Sequence, residues 1–142
     1  MLGVKNGADL LLAYPIGTLI GYFSVAILGL IVFLYCFEIL ARYKCWDEIG
    51  RGNIAAALAT GGKIFGLCNV LRYSIESKTS IYDMMKWAFY GFLLLFIAYL
   101  LYEFLTPVFS VDEEIKRDNR AVGLISMLIP VSLSYVIGAC LM

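Results

Sequence analysis

The sequence contains no histidine, and charge is scarce: 11 Lys and Arg against 11 Asp and Glu, together 15% of 142 residues and balanced to zero. The missing imidazole removes the commonest general base near neutral pH and the commonest metal ligand. Balanced charge leaves no basic field to hold nucleic acid, which is excluded as a partner. Cysteine occurs at 36, 45, 68 and 140 but never as C-x-x-C, so four close thiolates for zinc are not on offer. Cys36, Cys68 and Cys140 lie inside apolar runs, where cysteine behaves as a small hydrophobe. There is no P-loop, no G-x-S-x-G and no H-E-x-x-H. Lacking a nucleophile–base–metal set, the chain is expected not to be an enzyme and to carry no metal or cofactor.

What is abundant is apolar. Hydrophobic residues make up 62% of the chain, and mean hydropathy is +0.86. Soluble domains are about 45–50% apolar, so the surplus calls for a lipid bilayer as partner. Four stretches, 16–41, 53–73, 84–106 and 121–142, reach the roughly 20 residues a helix needs to cross. The expected fold is all-α: a polytopic membrane protein of four transmembrane helices in one domain, 1–142. Residues 1–14 read as a weakly amphipathic lead-in without a cleaved signal, because the apolar run that follows is too long.

A polar-to-apolar stretch organises the chain. Asp47-Glu48-Ile49-Gly50-Arg51-Gly52-Asn53 leads into Ile54-Ala55-Ala56-Ala57-Leu58, and the pattern returns 66 residues on as Glu113-Glu114-Ile115-Lys116-Arg117-Asp118-Asn119, leading into Arg120-Ala121-Val122-Gly123-Leu124. The spacing predicts two parallel two-helix repeats, 16–73 and 84–142, with both motifs on one side of the membrane. Six Lys and Arg on the motif side (42, 44, 51, 116, 117, 120) against four on the other (5, 72, 78, 86) favour cytoplasmic motifs and outside termini.

Asn53 and Asn119 stand where polar loop becomes helix, a preferred N-cap position. Thr60 follows Asn53 by seven residues and Ser126 follows Asn119 by seven, so each pair shares a helix face. Two readings of this doubled stripe stay open: it lines a narrow polar path, or it zips two helices by hydrogen bonds of roughly 0.6 kcal/mol each. Lys63 lies ~15 Å below Asn53, near mid-bilayer, where an ammonium costs about 2.5–3.5 kcal/mol. Its expected partners are Glu38 or Glu103, and a charge inside the membrane is a functional candidate; the alternatives are a purely structural ion pair or snorkelling. Asp47, Glu48, Arg51, Glu113, Glu114 and Arg117 read as a solvated face that could dock a partner. Tyr43 and Trp46 suit the membrane boundary, and the aromatic residues of 84–106 read as lipid contacts. The small residues of 53–73 place that span in mid-bundle.

The runs at 46–58, 61–63 and 113–124 resemble the YjfL-type family, the bacterial inner-membrane family termed domain of unknown function 350. The resemblance covers about residues 16–140. It implies a bacterial multi-spanning protein of two-helix halves, located in the inner membrane. It also hints at envelope stress, through phage-shock-type proteins encoded near some members, and it transfers no catalytic residues. The function expected is that of an oligomeric channel- or transport-related protein, working as a homo-oligomer. The alternative is a non-catalytic scaffold that recruits a cytoplasmic protein partner.

Overall fold

The computed structural model describes residues 7–77 and 80–142, apart from the side chain of Ala8. Lys5 and Lys78, both counted in the charge asymmetry, lie outside the described residues. A five-residue helix, α1 (Gly7–Leu11), precedes the first long helix, α2 (Pro15–Leu40). Then come a short α3 (Cys45–Gly50), α4 (Ile54–Glu76), α5 (Ile81–Phe104), a short α6 (Val111–Lys116) and α7 (Arg120–Leu141). The four long helices are each long and apolar enough to cross a bilayer, and the fold is all-α among the described residues.

Local chemistry sets the boundaries. Pro15 opens α2, where its fixed φ suits the first helical position and its missing N–H costs nothing. Ser80 caps α5, its hydroxyl accepting from the Asp83 N–H at 3.2 Å. Asn53 and Asn119 cap α4 and α7 in the same way. Helix α7 continues through Pro130, which forgoes one intrahelical bond there.

The most extensive contact joins α4 to α7. They lie side by side in the same direction: Ala55 meets Gly123, Gly62 meets Met127, Gly66 meets Pro130, and Asn69 Nδ2 donates to Ser134 Oγ at 3.0 Å. A methyl group on Gly62 would lie 2.5 Å from Met127 Cα, and one on Gly123 would lie 2.6 Å from Ala55 Cα. The two backbones therefore touch, which only small side chains permit. Helix α5 packs against both. Helix α2 runs alongside α5 in the same direction, with Gly21 near Ile81, Phe33 4.1 Å from Phe92, and Phe37 edge-on to Tyr99.

Most of α4 is buried, whereas α2 buries only Phe37. The aromatic residues of α5 divide. Trp87, Phe89, Tyr90 and Phe104 point outward as expected, but Phe92 and Tyr99 are buried. The physical reason is helical: 92 and 99 are two turns apart, on the face that meets α2 and α4.

Gly61 and its neighbour Gly62 give a matched test. A methyl group at Gly61 meets nothing within 4 Å. Gly61→Ala should leave thermal stability in detergent unchanged or slightly raised, while Gly62→Ala should lower it by about 1–3 kcal/mol through overpacking.

Candidate functional site

The same local structure is built twice at one end of the bundle. Helix α3 ends with Gly52 N–H on Ile49 O and Asn53 N–H on Glu48 O, at 3.0 Å each. Helix α6 ends with Asp118 N–H on Ile115 O at 3.0 Å and Asn119 N–H on Glu114 O at 2.9 Å. This is the Schellman turn, which needs a left-handed residue after the helix. Gly52 (φ 85) and Asp118 (φ 59) supply it. In each turn the following Asn immediately caps the next long helix: Asn53 Oδ1 accepts from Ala56 N–H at 2.9 Å, and Asn119 Oδ1 from Val122 N–H at 3.4 Å. The Asn amide then reaches back to the acid, Asn53 to Glu48 at 3.2 Å and Asn119 to Glu114 at 2.7 Å. Arg51 and Arg117 close on those same acids at 3.4 and 3.5 Å. The second halves of both motifs are thus consumed by turn and cap. Asp47 and Glu113 remain exposed, with Asp47 4.0 Å from Lys44.

The two units also lock to one another, though not symmetrically. Asn53 Nδ2 donates to Ile115 O at 2.8 Å. Ala55 N–H donates to Asp118 Oδ1 at 2.9 Å, and Arg42 N–H to Asp112 Oδ2 at 3.0 Å. The carboxylate bond to Ala55 gives Asp118 a role that glycine at that position would lack. Asn119 bonds within its own unit.

Just below this end lies a buried polar cluster. Lys63 is 3% exposed, and its Nζ has no hydrogen-bond partner. The expected ion pair with Glu38 or Glu103 does not form. Instead the ammonium position stands 4.6 Å from the Tyr99 ring centroid and 5.6 Å from that of Phe37. Lys63 projects from a face that α2 and α5 cover with rings, while Glu38 and Glu103 are only half-buried. A desolvated cation over such rings gains about 2 kcal/mol, close to the cost of placing it in mid-bilayer. Asp112, 2% exposed, lies within electrostatic reach of Lys63 and accepts from the Tyr99 hydroxyl at 3.5 Å. Thr60 Oγ1 and the Tyr43 hydroxyl are likewise buried without a partner. Burial, reinforced by the Cys45 thiol and the Asp112 carboxylate beside it, pushes the Tyr43 phenol up from its ordinary value.

Asp112, Tyr43 and Tyr99 were not read as site residues in the sequence. Asp112 hides in an acidic run. The signal was the spacing of Val111 and Ile115, which are one helical turn apart and give α6 a buried face that Asp112 borders. Tyr43, read as a boundary anchor, is 5% exposed. Thr60 and Ser126 do not bond to each other, since Ser126 Oγ instead lies 3.5 Å from the Tyr102 hydroxyl. With α4 and α7 touching backbone to backbone, the two stripes border a closed contact. On the outer side, a polar cleft of about 430 Å³ opens at the motif end, lined by Arg42, Tyr43, Glu48, Arg51 and Lys116 among others.

The unequal roles of the two asparagines are measurable. Asn119→Ala should cost about 1 kcal/mol, the loss of an N-cap. Asn53→Ala should cost about 1 kcal/mol more, because it also removes the hydrogen bond from Asn53 Nδ2 to Ile115 O that ties the two units together. Denaturant titration of the purified protein would read the difference.

The family described as Domain of Unknown Function (DUF350) matches residues 9–141. The UPF0719 transmembrane protein YshE of Bacillus subtilis is 52% identical over 118 residues, covering 83% of this chain and 88% of that protein. The UPF0719 inner membrane protein YjfL of Escherichia coli K12 is 26% identical over 116 residues, covering 82% of this chain and 83% of its own length. No solved structure matches. By a family match that spans nearly the whole sequence, and by these relatives, the chain belongs to the YjfL-type membrane family, Domain of Unknown Function (DUF350).

Proposed function

We propose that this is a transport-related protein of the bacterial inner membrane, in which the buried cluster around Lys63 handles the moving species. One observation carries the reading: a lysine deep in a membrane-spanning helix, nearly inaccessible, with no hydrogen-bond acceptor at its Nζ. An ionisable group inside the bilayer is expensive, and such groups concentrate where ions or protons pass. Tyr43 supports this, since it both lines the motif-end cleft and belongs to the buried cluster. The reading takes the chain as two parallel two-helix repeats. The recurrence of turn, cap and acid at a 66-residue offset supports that view. It sets the motif end in the cytoplasm, because among the described residues Arg42, Lys44, Arg51, Lys116, Arg117 and Arg120 lie there against Arg72 and Lys86 at the other end. A four-helix unit closed at its centre has no room for a wide pore. Passage is therefore assigned to the Lys63 side of α4, and homo-oligomer contacts to the open outer face of α2. The inner-membrane placement follows the relative YjfL.

A scaffold reading keeps one supporting observation: Arg51 and Arg117 project at the same end, their side chains 76% and 72% exposed. A cytoplasmic protein that docks there would crosslink from Asp47 or Glu113 in cells.

Purified protein in liposomes should dissipate an imposed ion or pH gradient, and Lys63→Met should reduce that flux at least tenfold. Equal flux from both proteins would remove Lys63 from the reading. An absence of flux from either, beside a working control channel, would leave the scaffold.

A further inference from the structure

We propose that the species bound at Lys63 is a proton, and that the Nζ of this residue alternates between amine and ammonium in the folded protein. The inference deepens the transport reading and takes its purpose from it, but its site stands on separate observations.

The surroundings of Nζ hold two opposing influences. Burial at 3% exposure without any acceptor works against the ammonium, which would leave three N–H donors unmade. The ring faces of Tyr99 and Phe37, at 4.6 and 5.6 Å, and the Asp112 carboxylate work in its favour. A directly hydrogen-bonded carboxylate would have fixed the ammonium permanently. A wholly apolar sleeve would have fixed the amine. The structure has neither. It holds the nitrogen by aromatic faces, with its counter-charge one step away on Asp112, to which the Tyr99 hydroxyl donates.

The ionisable groups around Lys63 come from every side. Tyr43 and Cys45 come from the segment that enters α3, Tyr99 and Glu103 from α5, and Asp112 from α6. Helix α2 contributes the Phe37 ring, with Glu38 next to it in sequence. Helix α7 carries no ionisable residue between positions 121 and 134. Asp112 is therefore the one carboxylate in the cluster that is fully buried, and it is already held by the Arg42 N–H and the Tyr99 hydroxyl. The step is simple to balance. One proton from hydronium in the motif-end cleft, whose wall includes Tyr43, adds to the Nζ lone pair: one O–H bond breaks, one N–H bond forms, and a neutral water remains. Release reverses it.

The test uses the full chain in lipid nanodiscs with ¹⁵N-labelled lysine. The Lys63 signal is assigned by its disappearance in Lys63→Met, or in Lys63→Arg should the first variant fail to fold. Between pH 6 and about 9, where exposed lysines stay ionised, the Lys63 signal should pass from ammonium to amine. In Asp112→Asn the midpoint should move to lower pH by about one unit, since loss of a nearby negative charge disfavours the ammonium. A Lys63 signal that holds one form across the whole range, or a midpoint indifferent to Asp112→Asn, overturns the proposal. Titration without any liposome flux would reject the transport reading and leave the proton site standing. Flux without titration would do the reverse.

Discussion

The close parallel contact of α4 and α7 governs the rest of the molecule. Two helices that touch backbone to backbone in the same direction must begin at the same end. Their positive dipole ends then stand side by side, an arrangement that attracts negative charge. The motif end supplies it. Glu48 and Glu114 fold back onto the capping asparagines, and the Asp118 carboxylate takes the Ala55 N–H in the first turn of α4. The acidic residues of the two motifs thus answer an electrostatic need set by helix direction. The glycines and alanines that permit the contact are what create that need.

The same contact explains where polarity survives in the interior. On its α7 side, α4 is sealed by Gly62 against Met127 and Gly66 against Pro130. From its remaining buried face, Lys63 meets the aromatic wall of Phe37 and Tyr99. A cation placed there is held by ring faces and by a carboxylate that it does not touch. That arrangement sits between a fixed ion pair and a fully apolar core.

The spans were legible because hydropathy is summed over about twenty residues and needs no knowledge of neighbours. The central place of α4 was legible from Ala55, Ala56, Ala59, Gly62 and Gly66, since small side chains in lipid have little use other than close packing. The caps at Asn53 and Asn119 were legible because capping is local. The environment of Lys63 was not. Its neighbours come from α2, α5 and α6, at sequence separations that no periodicity encodes, and electrostatic expectation pointed to Glu38 and Glu103 while aromatic faces took the position. Tyr99 and Tyr43 escaped for a related reason: an aromatic residue in a membrane protein looks alike in sequence whether it meets lipid or a buried amine. Asp112 was masked by its acidic neighbours, Glu113, which is exposed, and Glu114, which folds back onto Asn119.

The hydrogen bonds between the two motif units bear on how the chain is assembled. Asn53 Nδ2 is satisfied by Ile115 O, and the Ala55 N–H by the Asp118 carboxylate, groups that lie 62 and 63 residues further along. During synthesis the amino-terminal helical pair enters the bilayer before those acceptors exist. Until then the Ala55 N–H and the Asn53 amide lack the acceptors that join the two units in the finished protein, and Asn53 Nδ2 keeps only its bond to Glu48. The first motif can cap its own helix through Asn53 and Ala56, but its lock to the second closes only when the ribosome delivers that later segment.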